Sequence, residues 1–165
     1  MNYKTDTRKG LYILQSPEKY ISAAPPIYKS GWEWRIFDKL DRTPHILKWG
    51  YECIDIYYNH PFKSGFTVYK PDIFCILTDG NGYERKYLIE IKPHKMAVKP
   101  VPPAVPKSLT AQNGIRYKRA MQKYHQAVMD FAVNEAKWRA AEIWCATHGV
   151  RWVVLTEENS SGILG

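Results

Sequence analysis

Along residues 1–27 apolar positions fall without a sustained period among Tyr, Lys, Pro and Ser, so this stretch is expected to be an arm lying on the domain or on a partner. At "SGWEWRIFDKLD" the pattern changes: Trp32, Ile36 and Leu40 recur at helical spacing with Phe37 beside them. Ser30 is placed to cap that helix, and Glu33 falls in its first turn. "YECIDIYY" then alternates, putting Ile54, Ile56 and Tyr58 on one face of a strand. "NHPFKSG" reads as a turn and "FTVY" resumes the alternation, which predicts an antiparallel pair.

"DIFCIL" and "KYLIEI" are apolar strands flanking "TDGNGYER", whose Asp-Gly and Asn-Gly steps supply the positive backbone angles a hairpin needs. The same segment resembles part of a calcium loop but lacks a third oxygen ligand and the terminal glutamate. A connector follows at about 96–107, whose prolines exclude a helix or an interior strand. Helical spacing returns at Ile115, Met121, Val128 and Phe131; a second helix is expected to start at Asn134, a good cap, and to run to Gly149. "RWVVLT" closes as a strand, and residues 159–165 form a polar tail.

A chain of 165 residues with 45% apolar content fills one core. Its formal net charge of +8 makes a polyanion the first partner to consider. No apolar stretch reaches the roughly 20 residues of a membrane helix, nor does the start resemble a signal peptide, so residence inside the cell of synthesis is expected. Cys53, Cys75 and Cys145 lack CxxC spacing and read as reduced, buried thiols, and the tryptophans in helices and strands read as packing residues. The histidines show no metal-ligand spacing, although His94 stands where it could touch a phosphate.

The chemistry concentrates at the outer ends of the central hairpin. A hairpin brings those ends together, so Asp72, held extended behind Pro71, meets Glu90. Lys92, two residues on, projects to the same face as Glu90. A carboxylate interrupting the apolar "LIEI" strand would cost several kcal/mol without a partner. One lysine between two carboxylates leaves a surplus negative charge, which fits Mg²⁺, a cation that prefers oxygen ligands.

Pro71-Asp72 followed by Glu90-x-Lys92 resembles the PD-(D/E)xK nuclease superfamily. The order "SGWEWRIF", "KPDIF", "LIEIKPHK", the proline-rich connector, "NEAKWRAAEIWC" and "WVVLTEE" resembles, more narrowly, the head completion nucleases of tailed bacteriophages, over about 28–158. The resemblance implies an α/β, restriction-endonuclease-like core, a mixed central β-sheet flanked by helices. It implies that Asp72 and Glu90 bind metal, that Lys92 orients or activates the attacking water, and that Glu33 supports the metal site. It further implies a Mg²⁺-dependent DNA endonuclease, with Mn²⁺ able to substitute, acting on double-stranded DNA in the host cytoplasm and meeting portal or neck proteins at the head–neck junction. No small-molecule cofactor is expected.

Lys95, Lys99, Lys107, Arg116, Lys118, Arg119 and Lys123 continue from the site edge as a basic series suited to the DNA backbone, and Lys137 is a further candidate phosphate contact. Two other readings stay open: a structural head-closure protein that grips DNA without cutting it, and a resolvase- or transposase-type nuclease with the same chemistry.

Overall fold

The computed structural model describes residues 9–160. In chain order the elements are β1 (Gly10–Leu11), β2 (Ile27–Tyr28), α1 (Gly31–Arg42), β3 (Ile46–Tyr51), β4 (Ile56–Asn59), β5 (Phe66–Tyr69), β6 (Ile73–Thr78), β7 (Glu84–Ile91), α2 (His94–Ala97), α3 (Leu109–Asn113), α4 (Ile115–His148) and β8 (Arg151–Leu155). A four-stranded sheet, ordered β3-β6-β7-β8, carries the fold. Its first three strands are antiparallel and β8 joins β7 in parallel, so the sheet is mixed. Two short ribbons, β1-β2 and β4-β5, stand outside it.

Alternation along the central strands sends side chains to two cores. Ile73, Cys75, Leu77, Ile89 and Ile91 face α1, where they meet Ile36, Phe37 and Leu40. Leu88 faces the other way, toward Ala141 and Cys145 of α4 and Ile56, Tyr58 and Tyr69 of the β4-β5 ribbon. Helix α1 begins as expected: the Ser30 hydroxyl accepts from the Glu33 N–H at 3.2 Å, and the Glu33 carboxylate reaches back to the Lys29 N–H. Among the cysteines, all free, Cys75 and Cys145 are buried and Cys53 is partly exposed.

The chain from residue 9 to Tyr28 lies on the domain. Tyr12 is 3% exposed and packs edge-on to Phe37 and Trp49. The Ile21 N–H donates to the Trp49 carbonyl at 2.9 Å, covering the open edge of β3. Asp41, fully buried on α1, accepts from the Gln15 N–H at 2.6 Å and the Tyr12 hydroxyl at 3.2 Å, so a buried carboxylate is satisfied here by purely structural contacts. The expected arm over residues 1–8 and the tail over 161–165 lie outside the described residues.

Three expectations are corrected. "YECIDIYY" is not one strand: Tyr51 ends β3, Glu52 takes a positive φ of 45°, and Ile56 opens β4 in a different sheet. The 3.4 Å-per-residue alternation of Ile54, Ile56 and Tyr58 survives only in its second half. Asn134 caps nothing, because α4 runs unbroken for 34 residues, about 51 Å, until Gly149 closes it in a left-handed conformation at φ 64°. Asn134 lies instead on the buried face with Ala141 and Cys145. The apolar positions Ile115 and Val128 do not reach a core, since the buried residues of α4 begin only at Asn134 and the helix overshoots the sheet.

Candidate active site

Strands β6 and β7 pair with Ile73 opposite Ile89, so one step further out Asp72 and Glu90 lie alongside each other at the same end of the hairpin. The turn that fixes this register is closed by Asp79, whose carboxylate accepts from the Asn81 and Tyr83 N–H groups at 3.0 Å each and from Arg85 at 2.9 Å. Its oxygens are occupied by the hairpin itself, which agrees with a turn rather than an ion loop.

Glu90 is 4% exposed and both its oxygens are engaged. Oε1 pairs with Lys92 Nζ at 3.0 Å, and Oε2 accepts from the Tyr69 hydroxyl at 2.6 Å. Asp72 Oδ2 accepts from the Ile91 N–H at 2.7 Å, while the residue keeps a partly open edge. Burial, then the Glu90 charge beside it, pushes the Asp72 carboxyl up to about 8, against the pull of the Ile91 N–H and Lys92, with Glu33 adding a smaller upward push. Burial and the Glu90 carboxylate raise the Tyr69 phenol as well, so it stays a donor. Fully ionised, the two carboxylates would carry more negative charge than Lys92 neutralises, and Asp72 keeps its proton instead.

The structure brings Asp72, Glu90 and Lys92 together as expected. Glu33 stands at the first turn of α1, close enough for its charge to act on Asp72, but its carboxylate is turned to the Lys29 N–H. Among the described residues no three His, Cys, Asp or Glu side chains gather in a metal-holding cluster. Lys137 reaches the site from α4, with its ammonium 5.4 Å from the Tyr69 ring centre and 6.0 Å from that of Tyr58. Lys95, Lys99, Lys107, Arg116, Lys118, Arg119 and Lys123 are exposed along α2, the connector and the overshooting half of α4. His94 is held by acidic partners instead: Nδ1 lies 3.1 Å from Glu158, and its N–H donates to Glu157 at 2.7 Å.

Sequence reasoning missed Tyr69. Its alternation with Phe66, Thr67 and Val68 marks a strand, but nothing local separates a tyrosine that packs from one whose hydroxyl meets a carboxylate 21 residues away.

Two carboxylates and a lysine thus meet at the end of a hairpin in a mixed sheet, and the model of the TnsA-like endonuclease N-terminal family matches residues 43–157. The chain belongs to that family, and its core is restriction-endonuclease-like. At the level of single proteins it is 31% identical over 150 residues to the head completion nuclease of Enterobacteria phage T4, an alignment that covers 90% of this chain and 91% of that protein. Family and relative together assign a nuclease role. No solved structure matches the chain. The family match begins after α1, so it includes Asp72, Glu90 and Lys92 but not Glu33.

Proposed function

We propose that the protein is a divalent-metal-dependent endonuclease of phage head completion, hydrolysing phosphodiesters to process or secure packaged double-stranded DNA. The observation that carries this reading is the placement of Asp72 beside Glu90 with Lys92 Nζ 3.0 Å from the Glu90 carboxylate. A purely structural ion pair would balance its charges; here the raised Asp72 carboxyl marks the imbalance that a bound cation removes.

The donor set fits Mg²⁺, and Mn²⁺ in its place, because both take carboxylate oxygens. Asp72 and Glu90 would hold it, with Glu33 supporting the site from α1. When bound, such a cation stabilises charge on the phosphate and makes a water easier to deprotonate. This chain's own residues then have distinct tasks. Lys92, anchored on Glu90, orients the attacking water and offsets the negative charge that develops on the phosphate. Tyr69 fixes the rotation of Glu90 by occupying its second oxygen. Lys137 approaches the same place from α4 as a phosphate contact. Lys95, Lys99, Arg116, Lys118, Arg119 and Lys123 extend the positive surface as a sequence-independent track for the DNA backbone.

The relative named a head completion nuclease supports action during phage assembly; in this reading the protein works in the host cytoplasm and meets portal or neck proteins at the head–neck junction. Among the described residues no helix is long and apolar enough to cross a membrane.

The test is incubation of circular and linear duplex DNA with and without Mg²⁺, using the wild type and the Glu90→Ala variant. Cleavage of circles only with divalent cation, and only by the wild type, is expected. Equal cleavage by Glu90→Ala would remove the site assignment, and cation-bound, correctly folded protein that binds DNA without cutting it would leave the structural head-closure reading in its place.

A further inference from the structure

The β4-β5 ribbon has a use for its inner face and none, so far, for its outer one. Inward, Ile56, Tyr58 and Tyr69 are buried against α4 and Leu88. Outward, the register pairs Tyr57 with Val68 and Asn59 with Phe66, so these four side chains share one face. Tyr57 is 67% exposed, Phe66 74% and Val68 43%, and Phe62 at the turn is 51% exposed. A two-stranded ribbon solvated on one side is ordinarily polar there. This one presents aromatic rings.

The surroundings select a partner. From Ile56 to Pro71 the chain has no acidic residue, while His60, Lys63 and Lys70 give the ribbon a positive balance. Lys70 is paired with Asp55 at 2.8 Å at the ribbon's base, leaving Lys63 as the cation near the tip. The ribbon is also continuous with the site, because Tyr69 ends β5 and bonds Glu90 directly. A DNA strand held at Asp72 and Glu90 would therefore lie close to the ribbon. Asn59 is the only amide on the outer face, so the face is poorly equipped to read base edges by hydrogen bonds, whereas exposed rings with nearby cations suit stacking against unpaired bases.

We propose that the outer face of the β4-β5 ribbon, through Tyr57 and Phe66 with Phe62 at the tip, is a stacking platform for unpaired nucleotides, so that the enzyme engages DNA ends bearing single-stranded overhangs in preference to blunt duplex. This inference rests on the DNA-cleaving reading above and adds to it the structure of the preferred substrate.

The experiment compares the wild type with Tyr57→Ser/Phe66→Ser, whose side chains are exposed and whose loss leaves both cores intact. Binding is measured without divalent cation, on a blunt duplex and on the same duplex carrying a single-stranded overhang with 2-aminopurine as a stacking reporter. The wild type should favour the overhang and quench the reporter. The double variant should lose roughly tenfold or more in overhang affinity together with the quenching, while blunt-duplex affinity changes less than about twofold. Equal losses on the two DNAs, or no loss on either, would overturn the platform. So would a wild-type dimer in sedimentation that the double variant dissociates, which would make the face a contact between copies. In each of these cases a wild type that still cuts circular DNA keeps the nuclease reading; a wild type that neither binds nor cuts any DNA defeats that reading itself.

Discussion

Replacing Asp72 by Asn tests the charge imbalance at the centre of the site without DNA. In the unfolded chain the Asp72 carboxyl titrates near 3.8, and in the folded chain burial and Glu90 push it up to about 8. Between those values the folded state binds a proton that the unfolded state does not, so stability falls as pH rises through this window and levels off above it. At about 1.36 kcal/mol per unit, the roughly three units of this window that lie above pH 5 correspond to ~4 kcal/mol. Water at the partly open edge of Asp72 reduces this, and half of it, ~2 kcal/mol, is the working figure. For a domain of this size that is about 4 to 8 °C in melting temperature. Asn keeps the shape and can still accept from the Ile91 N–H, but has nothing to titrate. The assay is thermal melting of both proteins in metal-free buffer from pH 5 to pH 8.5. The wild type should lose about 4 to 8 °C relative to Asp72→Asn across the range, other titrations cancelling in the difference. Mg²⁺ at about ten times its dissociation constant should return roughly 1.4 kcal/mol to the wild type at high pH, less at pH 6, and little to the variant. A wild-type-minus-variant difference that stays flat with pH would refute the repulsion argued here, and identical responses to Mg²⁺ would show that Asp72 holds no cation.

Lys92→Ala should lose much more turnover than DNA affinity, because a contact to charge developing in the transition state is worth about 2.7 to 4 kcal/mol whereas one phosphate contact among many is worth little in binding; equal losses in single-turnover rate and dissociation constant would make it an ordinary DNA contact. Tyr69→Phe keeps the ring in its core but frees Glu90 Oε2, and should cost roughly 10- to 100-fold in activity or in the Mg²⁺ needed for half-maximal rate, with unchanged melting cooperativity. An unaltered rate and Mg²⁺ requirement would reduce Tyr69 to a packing residue. Affinity for duplex DNA, measured without divalent cation, should fall steeply between about 50 and 200 mM salt if Arg116, Lys118, Arg119 and Lys123 displace counterions; a salt-independent constant would remove the basic track.

What the sequence determined by itself was whatever short-range geometry controls. The "DGNG" turn and the apolar runs on either side of it dictate the β6-β7 hairpin, and a hairpin places its outer ends together whatever surrounds it, so Asp72, Glu90 and Lys92 converge from local rules alone. Ser30 capping α1 is equally local. The tertiary structure decided the rest. Strand β3 contains Lys48 and Gly50 and shows no clean alternation, and it exists because β6 on one side and Ile21 on the other satisfy its backbone. Gly50 is needed there because a β-carbon would come within 2.7 Å of the Ser22 hydroxyl, a crowding no local pattern reveals. Asn134 has the local preference of a cap, yet an unbroken helical ladder and a buried face shared with Ala141 and Cys145 outweigh it. Tyr69, Lys137 and the exposed aromatic face of the ribbon acquired their positions the same way, from contacts between segments far apart in the chain, whose energies appear only when the sheet, α4 and the ribbon are packed together.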